Sequence, residues 1–301
     1  MTRGRATAIG FGAIAVWSLL AALTVTVGPV PPFQLTAMCF AIGGLLGTIW
    51  ILASGKGFSA LQGLSPAVWI VGVGGLFGYH AAYFTALRLA PPAQASLVAY
   101  LWPLLIVLFS GLLPGERLRP GHLIGACVAF IGAWLVVAGP DMGFAPEHLP
   151  GLLWALACAV IWAAYSVLSR KLGDAPTECV AIFCLVTAAL SAGVHLAVET
   201  TVWPAGALGW ASVAALGLGP VGAAFYLWDI GCKRGNIQLL GVGAYLAPLA
   251  STLVLILLGL TRPSLGLGVA AGLITAGAFI AARATPRRRP GSGAKTSAAA
   301  N

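Results

Sequence analysis

Long apolar runs separated by short polar breaks make up almost the whole chain. A helix needs about 20 mostly apolar residues to cross a bilayer. Runs of about that length occupy 6–27, 33–54, 66–88, 92–112, 120–139, 149–171, 176–198, 206–232, 236–259 and 266–284. The breaks carry proline, glycine and charged residues, which are turn signals. The pattern therefore predicts an all-α membrane protein of ten transmembrane helices with short connections. Residues 285–301 are predicted to form a disordered basic cytoplasmic tail.

The composition agrees with a lipid bilayer as the main surrounding of the chain. Of the 301 residues, 59% are hydrophobic and only 8% are charged, whereas a soluble domain carries about 25% charged residues. The net charge of +9 comes without a basic patch interleaved with aromatics, so no nucleic-acid partner is expected. The six cysteines show neither a CxxC pair nor metal-ligand spacing, so no metal, cofactor or disulfide is predicted.

The basic residues fall mainly on alternate breaks. With the N-terminus inside, 14 of the 16 Lys and Arg residues lie on the inner side, and only Arg88 and Arg262 lie outside. Cytoplasmic loops of membrane proteins carry this excess of positive charge. Both termini are therefore predicted to be cytoplasmic, in an inner (plasma) membrane of bacterial type.

The two halves of the chain are related by an ungapped shift of 145 residues. This shift carries Trp17 onto Trp162, the Tyr-Leu-Trp-Pro run at 100–103 onto Tyr-Leu-Ala-Pro at 245–248, and Gly132 onto Gly277. Each half has five predicted helices, an odd number, so the halves 1–145 and 146–284 should be inverted repeats. Inverted repeats are typical of alternating-access transporters, with a substrate site near the membrane midplane. The alternative is a duplication retained for stability.

Three residues of the third predicted helix are candidates for such a site. Tyr79 and Tyr83 are four residues apart and share a helix face, which His80 borders. Their polar groups should turn away from lipid, towards partners or water. They are predicted to line a substrate cavity; the alternative is a packed face with internally bonded hydroxyls. His80 lies near the centre of its helix and is also a candidate for proton coupling.

Tryptophans midway along two helices are further candidates. Trp17 and Trp162 occupy matched positions of the first and sixth helices, far from the interfaces where aromatic belts form. An indole at midplane offers a broad face for stacking an aromatic ring and one hydrogen-bond donor. Both are therefore predicted to contact the substrate. Trp102 is also included, although its repeat counterpart is Ala247.

Matched Tyr-Xaa-Xaa-Pro segments occur in both halves. Tyr100 and Tyr245 each precede a proline by three residues, Pro103 and Pro248 respectively. A proline inside a helix frees the carbonyl four residues earlier and permits a kink. The prolines are predicted hinges, and the two tyrosines are predicted substrate contacts.

Two acidic residues have alternative interpretations. Asp229 lies within a predicted span and four residues before Lys233, a spacing that favours a local ion pair. The alternative for Asp229 is proton coupling or binding of a substrate ammonium group. Glu116, in an inner connection, is expected to be a structural partner of nearby arginines.

Several motifs resemble the drug/metabolite transporter superfamily in its EamA-type ten-helix form. The segments concerned are Ala86-Leu87, Ala95-Ser96-Leu97, Pro103, Gly115-Glu116-Arg117-Leu118, Gly125 and Gly132. The runs AYLWP at 99–103, IWAAY at 161–165 and VGAYLAP at 242–248 are similar to those of aromatic amino acid exporters within it. The resemblance implies export of aromatic and other apolar amino acids, and of toxic aromatic compounds. One departure is Thr261, which stands at the second-repeat position of Glu116.

Function classes can be ordered on these observations. The favoured one is a monomeric secondary transporter that exports a small molecule, an aromatic or hydrophobic amino acid, through an aromatic-lined cavity by alternating access. A multidrug or other small-metabolite exporter is the alternative, since aromatic cavities also suit planar cations. An intramembrane enzyme would need a nucleophile–base pair or metal ligands such as HExxH, and the sequence contains no such motif.

Overall fold

A computed structural model describes residues 1–55, 57–137, 145–259 and 262–284, and the regular structure in these ranges is helical. The predicted tail 285–301 and Thr261 lie outside the described residues. The α-helices are α1 Arg3–Trp17, α2 Leu20–Val27, α3 Pro32–Ala53, α4 Pro66–Leu89, α5 Pro92–Ala99, α6 Trp102–Ser110, α7 Pro120–Val137, α8 Leu149–Lys171, α9 Cys179–Val198, α10 Gly206–Leu218, α11 Ala224–Arg234, α12 Ile237–Gly243, α13 Leu246–Leu257 and α14 Leu265–Ala284. Two 3-10 helices, Gly57–Leu61 and Pro146–His148, and a π-helical turn, Gly219–Ala223, complete the set.

Nine helical segments in the described ranges are long and apolar enough to cross a membrane. Each begins and ends within three residues of an apolar run predicted from the sequence. The predicted run 120–139 corresponds to a shorter apolar helix, Pro120–Leu135. Four helices (α3, α4, α5 and α7) begin at a proline, which is favoured in the first turn because its missing N–H needs no partner there. The prediction of an all-helical membrane protein is confirmed.

Four of the long segments are interrupted in their middle. The interruptions between α5 and α6 and between α12 and α13 lie just before Pro103 and Pro248, where the sequence predicted kinks. The other two were not predicted. The first segment breaks after Trp17, where the Ser18 hydroxyl donates to the Ala15 carbonyl at 2.6 Å and competes with the helix. In the segment formed by α10 and α11, Pro220 lacks an amide proton and lies in the π-helical turn.

Helices from the two halves of the chain pack against each other in pairs. Helix α4 packs on α8, α3 on α9, α1 on α11, and α7 on α14. Small residues let the backbones approach closely. At the contact of α7 with α14, for example, a Cβ added to Gly125 would lie 2.5 Å from the Gly277 carbonyl oxygen. The halves are therefore interlocked rather than side by side.

A carboxylate joins several helices at the end of the bundle where α1 begins. Glu116 accepts hydrogen bonds from Arg3, at 3.0 Å, and from Arg170. The Arg170 guanidinium also donates to the carbonyls of Cys232, at 3.0 Å, and Gly235, at 2.7 Å. The expected pairing of Glu116 with arginines is present. It joins the connection after α6 to the ends of α1, α8 and α11.

A second carboxylate, Glu199, joins helices at the opposite end. Its side chain is 3% exposed and accepts hydrogen bonds from the amides of Phe33 and Gln34 in the first turn of α3, both at 3.1 Å. Arg88, at 3.0 Å, and the His195 ring nitrogen, also at 3.0 Å, complete its surroundings. Glu199 therefore connects the ends of α3, α4 and α9.

Candidate functional site

A cavity of about 230 Å³ lies where the four interrupted segments meet. Each interruption contributes residues in or beside it to the wall, among them Leu20 after the break that ends α1, Tyr100 between α5 and α6, Pro220 in the π-helical turn and Ala247 at the start of α13. Irregular backbone is tolerated at membrane depth where it lines a cavity or is covered by protein. The lining residues are Trp17, Leu20, Ala21, Tyr79, His80, Tyr83, Ser96, Ala99, Tyr100, Trp102, Trp162, Pro220, Val221, Phe225, Ala247 and Ser251.

Four tryptophans, Trp17, Trp102, Trp162 and Trp228, form what we call the tryptophan cluster on one side of this cavity. The Trp17 ring lies 6.4 Å from Trp102, 5.9 Å from Trp162 and 5.2 Å from Trp228, centroid to centroid. The first two contacts are edge-to-face, the arrangement that aromatic quadrupoles favour. The Trp17 indole donates to the Pro220 carbonyl at 3.0 Å. The cluster therefore links both halves of the chain and leaves aromatic surface facing the cavity.

Residues of α4 and neighbouring helices form another wall. The Tyr79 and Tyr83 rings are nearly parallel, with centroids 6.1 Å apart, which agrees with their predicted common face. The His80 ring contacts Phe40 edge-on at 5.0 Å. His80 Nδ1 lies 2.7 Å from the Leu76 carbonyl oxygen, and because a carbonyl only accepts, Nδ1 carries a proton and donates.

Hydroxyl groups supply most of the polarity of the cavity. The Tyr83 and Ser96 hydroxyls are hydrogen-bonded to each other at 2.8 Å, and Tyr100 and Ser251 also line the space. Among the described residues of the lining, none carries a charged side chain other than His80 in its protonated form. The cavity therefore suits a solute whose largest part is an aromatic or apolar group.

Seven of the eight predicted substrate contacts line the cavity, but Tyr245 does not. The seven are Trp17, Tyr79, His80, Tyr83, Tyr100, Trp102 and Trp162. Tyr245 is fully buried elsewhere, against Phe130 at 6.0 Å. Its hydroxyl accepts from the Leu104 amide at 3.2 Å, one of the first-turn amides of α6 that lack a partner within the helix. This structural hydrogen bond keeps Tyr245 away from the cavity.

Asp229 also lies away from the cavity. It forms the expected ion pair with Lys233, at 2.9 Å, and accepts from the Thr177 hydroxyl at 2.7 Å. The Lys233 ammonium group also donates to the Ala175 carbonyl at 2.8 Å. Both side chains line a small space of about 10 Å³, together with Val68, Val71, Gly72, Ser169, Leu172, Ala175 and Phe183. We call this space the inner pocket.

Two important aromatic residues near the cavity were missed in the sequence. Phe225 lines it and packs on Trp17 at 6.2 Å and on Trp162 at 5.7 Å. Trp228 belongs to the tryptophan cluster and donates from its indole to the Ser166 hydroxyl at 3.1 Å. The repeat held the signal, because the shift of 145 residues carries His80 onto Phe225 and Tyr83 onto Trp228.

No group of three or more His, Cys, Asp or Glu side chains suited to a metal ion occurs in the described ranges. The six cysteines are free thiols, five of them buried.

Comparison with known proteins gives matches over nearly the whole chain. Residues 5–138 and residues 149–283 each match the EamA-like transporter family. The aromatic amino acid exporter YddG of Ancylobacter novellus is 56% identical over 283 residues, which are 93% of this chain and 98% of that protein. The aromatic amino acid exporter YddG of Salmonella typhimurium is 27% identical over 304 residues, 96% of this chain and 100% of the relative. A crystal structure 56% identical in sequence covers 93% of this chain and 98% of its own, with a TM-score of 0.89.

Proposed function

Because the chain belongs to the EamA-like transporter family, we propose that it exports aromatic amino acids from the cytoplasm through the central cavity. The observation that carries the substrate class is the cavity wall itself, in which Trp17, Tyr79, Trp162 and Phe225 converge. Each well-oriented aromatic pair contributes about 0.5–1.5 kcal/mol beyond area burial. The space of about 230 Å³ is below the range of about 300–1,000 Å³ for drug-sized ligands, and it suits one amino acid.

The topology that we propose has ten transmembrane helices in two inverted repeats, 1–145 and 146–284. The family matches the chain twice, once in each half, and the paired interruptions before Pro103 and Pro248 occupy matched positions. The charge pattern supports cytoplasmic termini in an inner membrane. In this orientation α2, α5 and α13 lie in the outer half of the membrane, and α1, α6 and α12 lie in the inner half.

Access to the cavity alternates, in this proposal, through movement at the interruptions. Helices α6 and α12 pack together in the inner half, whereas α5 and α13 make at most marginal contact in the outer half. Leu20, Ser96 and Ser251 of the outer half line the cavity. This asymmetry supports an outward-facing arrangement. Rocking of the halves at Pro103 and Pro248 would bring α5 and α13 together and separate α6 from α12, which would open the cytoplasmic side.

Replacing Pro103 with alanine should slow this switch. Alanine restores the amide that the proline lacks, so the interrupted segment becomes closer to a continuous helix and resists bending. We expect turnover to fall about tenfold, which corresponds to about 1.4 kcal/mol in the barrier, with a smaller change in KM. Initial rates of tryptophan transport in liposomes measure both, and Pro248→Ala should behave alike. The control is Pro120→Ala, at the exposed start of α7. Wild-type turnover in both hinge variants would contradict the hinge role.

Transport by the purified protein tests the proposed function directly. Liposomes that contain it should accumulate labelled tryptophan and phenylalanine faster than protein-free liposomes do, and unlabelled tyrosine should compete. Equal uptake with and without protein would contradict the proposal that the protein exports aromatic amino acids.

The same liposomes test coupling to protons. An imposed pH gradient should accelerate tryptophan flux if transport is proton-coupled, with His80 and Asp229 as the candidate groups.

One observation favours a second candidate, an exporter of planar aromatic cations or other small metabolites. Aromatic faces attract cations by about 0.5–2 kcal/mol, and the described lining offers them without a Lys or Arg side chain to repel the cation. A labelled aromatic quaternary amine distinguishes the two. Its transport in liposomes that fail to move tryptophan would support this second function.

A further inference from the structure

Three helices run from the cavity to the inner pocket. Residues three or four apart lie on one face of a helix, and on each of these helices a set of residues at this spacing runs from the cavity to the pocket. They are Tyr79, Gly75 and Gly72 on α4; Trp162, Tyr165 and Ser169 on α8; and Phe225, Asp229 and Lys233 on α11, of which the last two both line the pocket. The cavity and the inner pocket therefore lie on one line, with the pocket on the side assigned to the cytoplasm.

Tyr165 fills the space between the cavity and the inner pocket. Its ring lies 5.2 Å from Trp162 and occupies the position that a Cβ on Gly75 would need. Tyr165 is 3% exposed, and its hydroxyl makes no well-aligned hydrogen bond in the described part of the chain. Asp229 and Ser169 are polar neighbours of this hydroxyl. A polar ligand in the pocket would therefore offer this hydroxyl a better-aligned partner.

The inner pocket holds both charges that an α-amino acid can pair with. The Asp229 and Lys233 side chains are 1% and 6% exposed, so folding has already removed them from water. Removing ions from water is the main penalty of a buried ion pair. An inserted zwitterion would place its ammonium against Asp229 and its carboxylate against Lys233, and so exchange one protein ion pair for two with the ligand. The described cavity lining offers no such pair.

We propose that the inner pocket is a second binding site for the transported amino acid, in which Asp229 binds the ammonium group, Lys233 the carboxylate and Tyr165 either of them. This inference rests on the proposed export of aromatic amino acids. In the present conformation the pocket is closed, since its volume of about 10 Å³ is close to that of one water site. It becomes accessible from the cytoplasm when the parts of α4, α8 and α11 that line it move apart, and movement of Trp162 and Tyr165 then admits the amino acid to the cavity.

Side-specific competition tests the inner site. Inverted membrane vesicles present the cytoplasmic side, and right-side-out vesicles present the outer side. Labelled tryptophan is the probe, with tryptamine, which lacks the carboxylate, and indole-3-propionate, which lacks the ammonium group, as competitors. In inverted vesicles Asp229→Asn should raise the inhibition constant of tryptamine about tenfold, equivalent to about 1.4 kcal/mol, and leave that of indole-3-propionate unchanged. Lys233→Met should raise the inhibition constant of indole-3-propionate about tenfold and leave that of tryptamine unchanged. Neither variant should alter the two inhibition constants in right-side-out vesicles.

Two further variants separate ligand binding from structural support. Tyr165→Phe keeps the ring between the cavity and the inner pocket and removes only the hydroxyl. It should weaken tryptophan binding from the cytoplasmic side while the melting temperature stays unchanged. If either charge variant fails to fold, this variant still tests the inner site. Arg88→Gln is the matched control, since Arg88 is the repeat counterpart of Lys233 and pairs with Glu199 at the outer end; it should not discriminate between the two analogues.

Two outcomes would overturn the inner site. One is an equal effect of Asp229→Asn and Lys233→Met on both analogues, which would assign the ion pair a structural role alone. The other is wild-type inhibition constants on the cytoplasmic side in both variants. Wild-type vesicles that fail to transport tryptophan would instead overturn the proposed function, so the two failures are distinguishable.

Discussion

Replacing Trp162 with alanine should reduce tryptophan transport by about 100-fold, or about 2.7 kcal/mol. Trp162 is 4% exposed and contacts Trp17, Tyr79, Trp102 and Phe225 at centroid distances of 5.1–6.3 Å. Alanine removes the ring that shapes the cavity wall and lets the neighbouring rings relax into the vacated space. A buried Trp→Ala change also lowers stability by about 3–5 kcal/mol. Initial transport rates in liposomes and thermal unfolding in detergent measure the two effects separately.

Two control variants separate the loss of the ring surface from a general defect. Trp162→Phe retains an aromatic face and should keep transport within about tenfold of wild type. Trp203→Ala removes a tryptophan that is 63% exposed and stacks on Trp210 at 6.0 Å, away from the cavity lining, and it should transport normally. Near wild-type rates for Trp162→Ala in a folded protein would exclude Trp162 from the substrate site.

Replacing Glu199 with alanine should strongly destabilise the fold. The buried carboxylate accepts from two amides of α3 and pairs with Arg88 and His195. Each buried amide left without an acceptor costs about 1–3 kcal/mol, whereas the loss of the pair with the half-exposed Arg88 adds only about 0–1 kcal/mol. We expect a large fall in melting temperature and in the yield of monodisperse protein, measured by thermal unfolding and size-exclusion chromatography.

The exposed Glu147 provides the comparison for this variant. It lies in the 3-10 helix Pro146–His148, and Glu147→Ala should change stability by less than about 0.5 kcal/mol. Glu199→Gln should fall between the two, because its amide oxygen still accepts one of the α3 amides. A melting temperature of Glu199→Ala equal to that of Glu147→Ala would contradict the structural role of Glu199.

The helical segments were predictable because lipid imposes one length and one polarity on every span. The apolar runs therefore gave boundaries within three residues in nine segments. The ion pair of Asp229 and Lys233 was also predictable, since a spacing of four residues brings opposite charges together on any helix. The break after Trp17 was not predictable in this way. The Ser18 hydroxyl competes with the helix there, but a hydroxyl that bonds its own helix elsewhere, such as that of Thr36 to the Pro32 carbonyl, does not end the helix.

The cavity lining was partly predictable for a different reason. Matched aromatic residues indicated the helices that meet at the centre, but the side-chain directions depend on local hydrogen bonds that hydropathy does not contain. Tyr245 has sequence surroundings similar to those of Tyr100, yet its hydroxyl accepts from the Leu104 amide and it lies outside the cavity. Phe225 was not predicted because its repeat counterpart, His80, is a residue of another type. The two side chains occupy matched positions of the repeats but differ in their chemistry.

The tryptophan cluster also gives the protein an intrinsic fluorescence signal at the cavity. The emission of an indole changes with the polarity around it and with rings stacked against it, and four of the ten tryptophans lie together beside the cavity. Phenylalanine emits too weakly to interfere with indole emission, so a titration with this amino acid can report occupancy of the cavity without a label. The same signal, followed in time, would report movement of Trp17 against Trp228 during the proposed switch between outward and inward access.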